Sequence, residues 1–298
     1  MGRKGNSGYT NPDKRFGNGN SGGYSGSLGL TQHYLERLDG DLIPQPPGGA
    51  PYPGYTVWSK ADTGITFDGS NKVQQWNDLS GNNLHFTQDT ADRRPSFDSS
   101  NLYLNNKPSV DMLNSVGYYM TGSTSPLLDS ASTGGFTYYA VVKINNVYST
   151  GFQATRTNGS VWKKGWGIFY SSGWKFWVND WNDSDTRVTL SNMSQTSIPY
   201  IFKFVYNDDN NGDGSGILAQ TIGNVNSRSG TNSSMTDVVN DPTTGDGLWL
   251  NYGGNSQDGI WQGGHDFGEV IFYNAPLSST GQTETENYLK TKYDITPG

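Results

Sequence analysis

From residue 55 onward the chain is a succession of short apolar runs broken by Gly, Asn, Asp or Pro clusters, a pattern that restricts it to antiparallel sheet. The run WGIFYSSGWKFWVND at residues 166–180 is representative. Trp166, Ile168 and Tyr170 alternate with Gly167 and Phe169, and Trp174, Phe176 and Val178 alternate with Lys175, Trp177 and Asn179. Ser171, Ser172 and Gly173 between them form a connection of hairpin length. FTYYAVVKI at residues 136–144 predicts a buried strand, and PYIFKFVYN at 199–207 with GILAQTIG at 216–223 predicts a second antiparallel pair. Forty glycines supply turns between such strands. Apolar residues make up only 32 %, but aromatics reach 13 %, with nine Trp and eighteen Tyr, so large rings must fill a core that has few aliphatic side chains. The chain ends differently: Ser279 and Gln282 fit a capping box, Glu286 and Lys290 stand one helical turn apart, and Tyr288 and Leu289 can face inward.

The formal charge of −7 argues against nucleic acid as a partner, because phosphate binding needs a clustered basic surface. With no cysteine, a disulfide frame, thiolate catalysis and cysteine metal sites are excluded. No apolar stretch suggests membrane insertion and the opening residues do not resemble a signal peptide, so the expectation is a protein made in the cytoplasm without export. His33, His85 and His265 are too far apart in sequence to imply a zinc site.

Two regions are expected. Residues 1–45 form a glycine-rich basic arm, whose first 29 residues hold nine Gly and whose composition buries too little apolar surface to order alone. Either it is a solubilising tail or it orders on a partner through Arg3, Lys4, Tyr9, Lys14, Arg15 and Phe16 and through a short helix carrying Tyr34, Leu35 and Leu38. Residues 46–298 form one sandwich, within the length that such domains use.

Two segments carry a resemblance to a known family. Trp58, Ala61 and Asp62 are followed by Trp76, Asn77, Asp78, Ser80, Gly81, His85 and Gln88, and DFGEVIFYNAPLSSTGQTETENYLKTKY closes the region at residues 266–293. These resemble the laminin-G-like branch of the concanavalin A-like lectin/glucanase superfamily, of the kind found in bacteriophage virion surface proteins. The resemblance implies an all-β, concanavalin A-like jelly-roll sandwich with an extended N-terminal arm and a short C-terminal helix. It also makes His85 structural.

The family's glucanases place carboxylates on one strand as Glu-x-Asp-x-x-Glu. This chain has only four glutamates, Glu36, Glu269, Glu284 and Glu286, and none fits that spacing, so no catalytic residue is expected. Asp180, Asp183 and Asp185 read better as a loop. Five tryptophans within residues 162–181 either pack the core or offer sugars a flat face. Trp166 and Trp174 belong to the core on this reading, while Trp177, Asn179, Asp180 and Trp181 are the candidate glycan contacts. Asp209, Asn211 and Asp213 match the opening of a calcium loop, but its twelfth position is Gln220, so a solvated hairpin loop competes with a weak calcium site.

The resemblance and the arm together lead to a non-enzymatic virion structural protein, a capsid decoration, head fibre or tail-associated protein at the virion surface. Its arm would engage a capsid or tail protein, copies would assemble as a homo-oligomer, and the sandwich would contact surface glycans. The alternative is a free carbohydrate-binding or glycan-cleaving protein.

Overall fold

The runs at 136–144, 166–180, 199–207 and 216–223 are strands in the computed structural model. It describes residues 49–112, 118, 120–122, 134–145, 152–158, 161–170, 172–180, 187–191, 198–207, 215–225, 227–235, 246–251 and 264–298. Residues 1–48, and with them every arm residue named above, lie outside the described residues.

Along the chain come β1 (Val57–Lys60), β2 (Ile65–Phe67), β3 (Val73–Trp76), β4 (Phe86–Thr87), β5 (Ser96–Asn101) and β6 (Lys107–Met112). Then follow β7 (Met120–Thr121), β8 (Gly135–Ile144), β9 (Phe152–Asn158), β10 (Val161–Tyr170), β11 (Trp174–Asp180) and β12 (Arg187–Leu190). The last are β13 (Pro199–Asn207), β14 (Ser215–Gly223), β15 (Arg228–Met235), β16 (Asp246–Leu250), β17 (His265–Tyr273) and the helix α1 (Ser279–Tyr293). They make two antiparallel sheets. One runs β15-β14-β13-β8-β17-β6-β5, and the other β12-β11-β10-β9-β16-β7-β4-β3-β2. The fold is thus an all-β sandwich with one C-terminal helix.

Period-two alternation sorts side chains between two cores. On β8, Phe136, Tyr138, Ala140, Val142 and Ile144 enter the core between the sheets, while Tyr139 and Val141 face outward under α1. This double cover explains why β8 reads as an almost unbroken apolar run. β13 repeats the scheme, with Tyr200, Phe202, Phe204 and Tyr206 inward and Ile201 outward.

Parity changes once on β17. Phe267 and Val270 both point into the inner core, and the pairing with β8 shifts register between Phe267 and Glu269. Gly268 sits at the shift, where a Cβ would lie 2.9 Å from the Tyr293 ring. The bulge therefore lets α1 approach the sheet and turns Glu269 beneath it. It also divides β17 between two partners: His265–Phe267 pairs with β6, and Glu269–Phe272 pairs with β1.

The helix begins one residue earlier than the capping box implies. Ser278 is the cap, its Oγ accepting from the Gly281 N–H at 3.2 Å, while Gln282 donates to the Leu277 carbonyl at 2.8 Å. Glu286 and Lys290 pair at 2.9 Å, and Tyr288 and Leu289 are buried.

Candidate functional site

The residues that carry the family resemblance have a packing role. Asp78 accepts from the Trp58 and Ser80 N–H groups at 2.9 Å each and from the Leu84 N–H at 3.0 Å, and its own N–H donates to His85 Nδ1 at 3.0 Å. Ser80 Oγ donates to the Thr56 carbonyl at 2.8 Å. This network staples the turn after β3 to β1, which is a fold signal and carries no ligand of its own.

A group with chemical potential stands on the outer face of the first sheet, where β17 begins and β6 and β8 end. Antiparallel register sets Asp266 opposite Asp111 on one side and Lys143 on the other. Three donors converge on Asp266, which is only 4 % exposed: Lys143 Nζ (3.0 Å) and Asn101 Nδ2 (2.7 Å) to Oδ2, and Asn145 Nδ2 (2.6 Å) to Oδ1. Burial, then the charge of Asp266 and a hydrogen bond to it, push the Asp111 carboxyl from 3.8 up to about 7. Lys143 offsets part of this effect and Asp98 adds to it. Asp111 Oδ1 is buried and has no hydrogen-bond partner. A carboxyl that keeps its proton near neutrality, next to an acceptor, can donate a hydrogen bond or a proton.

Asn101 links this pair to the surface. Its Nδ2 also reaches Ser109 Oγ at 3.0 Å, and its Oδ1 accepts from the Tyr103 N–H at 3.1 Å, capping a 3-10 turn at Leu102–Leu104. Leu104 is fully buried, so the turn leaves Leu102 74 % and Tyr103 45 % exposed. Lys143 Nζ lies 4.6 Å from the Tyr103 ring centroid, a cation–π contact that fixes the ring beside the carboxyl pair.

The raised Asp111 group sets a pH dependence. Its folded-state value lies above the unfolded one, so its contribution to stability is complete below about pH 4 and is lost as pH rises through about 7. Asp62, Asp68 and Glu286 are held below their usual range and slope the opposite way, but equally in wild type and Asp111→Asn. The melting temperature of Asp111→Asn relative to wild type should therefore rise between pH 4 and pH 8; a constant difference would reject the shared proton.

The residues proposed from sequence lie elsewhere. Trp166 and Trp174 are in the core, 2 % and 0 % exposed. Trp177 requires a correction: parity does turn it away from the inner core, but it is 0 % exposed, and a Cβ on Gly167 would come within 2.8 Å of its Nε1. A ring with no free face cannot stack on a sugar. Asn179 and Asp180 end β11, their side chains outside the described residues, as are Trp181 and the calcium candidates Asp209, Asn211 and Asp213. Among the described residues no three His, Cys, Asp or Glu side chains come together in a metal-binding group. Spacing along one strand could not reveal Asp111 and Asp266, which meet across strands far apart in sequence; the available signal was an aspartate at an outward position in each of two apolar runs, SVDM and HDFGEVIFY.

No protein-family model matches the chain, and no curated protein sequence matches it either. Solved structures do. Trypanosoma rangeli sialidase in complex with a difluorinated 2-keto-3-deoxy-nononic acid aligns with TM-score 0.50 at 14 % identity, covering 86 % of this chain and 36 % of the sialidase. The same enzyme in complex with 2,3-difluorosialic acid, as a covalent intermediate, gives the same four values. An arabinofuranosidase complexed with an arabinofuranosyl-xylobiose aligns with TM-score 0.48 at 16 % identity, covering 76 % of this chain and 52 % of that one. The chain spans only about a third of the sialidase's length, and at this identity the likeness concerns the fold.

These findings correct the expectations drawn from the resemblance. The structures that align at TM-score 0.50 are of a sialidase, not of laminin-G-like virion surface proteins. The family assignment, the virion role and the exclusion of catalysis are therefore withdrawn. The physical reason is visible in the Asp78 network: the matched residues specify a turn that glues two strands, and such a turn is compatible with many functions.

Proposed function

We propose that this sandwich acts on carbohydrate, recognising a glycan on the outer sheet face at Tyr103, Leu102, Asp111 and Asn145. The observation that carries the reading is the half-exposed Tyr103 ring standing beside a carboxyl pair in which Asp266 is buried and Asp111 half-buried. Pyranose rings have an apolar C–H face and a rim of hydroxyls. An exposed aromatic with an apolar neighbour suits the first, and a proton-holding carboxyl with a flanking amide suits the second. Runs of consecutive strands at the edges of each sheet flank a middle drawn from distant parts of the chain, β13-β8-β17-β6 in one and β9-β16-β7-β4 in the other, and we read this order as a jelly roll.

Cleavage is the second reading, favoured by the proton that Asp111 retains near neutral pH. Two carboxyls in hydrogen-bonding contact are closer than the ~5–5.5 Å of retaining glycosidases, which ranks recognition first. Both are tested on one panel of neutral, uronate-bearing and sialylated oligosaccharides, by titration calorimetry and by product release. Tyr103→Ala should weaken binding about tenfold or more, the loss of ~1.4 kcal/mol or above typical of a stacked aromatic anchor. Any hydrolysis should disappear in Asp111→Asn. A folded chain that neither binds nor cleaves a member of the panel would end the glycan reading.

A further inference from the structure

One carboxylate oxygen of Asp266 accepts from two side-chain nitrogens. Lys143 Nζ at 3.0 Å and Asn101 Nδ2 at 2.7 Å both donate to Oδ2, so they are no further apart than the sum of those distances. Lys143 comes from β8 and Asn101 from the end of β5, with β17 and β6 between them in the sheet. All three groups are largely withdrawn from water: Asn101 is 3 % exposed, and the Lys143 and Asp266 side chains are 13 % and 5 % exposed. The Asn101 carbonyl oxygen already accepts a backbone hydrogen bond from Tyr103 at 3.1 Å.

We propose that Lys143 and Asn101 are positioned to form an intramolecular isopeptide bond, with Asp266 as the proton carrier. Lys143 gives a proton to Asp266 Oδ2, and the freed Nζ lone pair attacks Asn101 Cγ. The Tyr103 N–H stabilises the oxygen on which charge develops. Asp266 then delivers its proton to Asn101 Nδ2, the Cγ–Nδ2 bond breaks, and the new Nζ–Cγ amide loses its second proton to the departing nitrogen. One lysine ammonium and one carboxamide become one secondary amide and one ammonium ion, with no oxidant or cofactor. The role fits Asp266 because the nitrogen that must lose protons and the nitrogen that must gain them touch the same oxygen. The bond would tie β5, an edge strand of its sheet, to the central strand β8 beneath Tyr103.

The test is the intact mass of the purified full-length chain, followed by proteolytic peptide mapping under denaturing conditions. The expected result is a mass short of the sequence value by one ammonia, with a branched peptide joining the Lys143 and Asn101 segments. Lys143→Arg and Asp266→Asn should both return the mass to that calculated from their own sequences. A succinimide at any asparagine also sheds ammonia, so the branched peptide decides. A wild-type chain at its full sequence mass, or an ammonia deficit with Lys143 and Asn101 recovered in separate peptides, overturns the proposal. The wild-type result stands even if a variant fails to fold.

Discussion

Replacing Glu269 by alanine is expected to lower the unfolding free energy by about 3–5 kcal/mol, the usual consequence of removing one partner from a buried charged network. Glu269 is 0 % exposed and receives four donors: Trp58 Nε1 at 2.6 Å, Lys292 Nζ at 2.8 Å, Tyr288 OH at 2.9 Å and Tyr293 OH at 3.1 Å. Burial, and then the Glu269 charge, hold both tyrosines well above the ordinary tyrosine range, so they remain hydroxyl donors at any working pH. Without the carboxylate, Lys292 would retain Asp62 alone as an ionic partner among the described residues, at 3.0 Å, the indole and the Tyr293 hydroxyl would lose their acceptor, and Tyr288 OH would keep just the Lys292 donor at 3.4 Å. Glu269→Gln keeps an acceptor and the shape, so its loss should be clearly smaller. Urea unfolding monitored by tryptophan fluorescence gives both values. A loss for Glu269→Ala below about 1 kcal/mol, ordinary for a surface substitution, would show that this hub does not hold α1 to the sheet.

Much of this architecture was legible in the chain, and the failures have definite causes. The hairpin at 166–180 folds in the register that its alternation predicts, with Trp166 opposite Val178 and Tyr170 opposite Trp174. β13 and β14 pair from Tyr200 with Gly223 to Asn207 with Gly216. The terminal helix is equally plain, because its polar and aromatic residues recur at helical spacing; only its cap moved, since Ser278 and Ser279 are both competent and Oγ geometry selects the first. Function was not legible in the same way. Strand parity and the loop that follows put Trp177 among the glycan contacts, but parity says which face a side chain leaves by and nothing about what covers it, and the ring is buried. The Asp111–Asp266 pair depends on the register of β6 against β17, and strand order does not follow from local pattern. Tyr103 was hidden because LYL reads as an apolar triplet, whereas the 3-10 turn capped by Asn101 buries Leu104 and pushes the other two outward. The motif residues were read correctly as structural at His85 and overextended in the family role assigned to them.

The second large effect concerns how a chain with so few aliphatic residues holds two sheets together. Trp166→Ala should cost about 3–5 kcal/mol, the range for truncating a buried tryptophan. Trp166 leaves β10 and enters a nest of rings from the opposite sheet: Phe136 at 4.8 Å, Tyr138 at 5.0 Å, and Phe204 and Phe272 at 5.8 Å, the last nearly parallel at 11°. These neighbours stand on three strands, β8, β13 and β17, so one side chain locks the second sheet to the centre of the first. Offset and edge-to-face contacts add roughly 0.5–1.5 kcal/mol per pair beyond area burial, which lets aromatics do the work that 32 % apolar composition leaves undone. The indole also carries a cost, for its Nε1 is buried without a hydrogen-bond partner. Trp166→Phe removes that unsatisfied donor while keeping a ring in place, so its loss should fall to less than half of the alanine value. Thermal and urea unfolding of the pair separate the two terms. If phenylalanine were as damaging as alanine, the indole nitrogen would have to be hydrogen-bonded, and the sheets would be joined there by a polar contact as well as by packing.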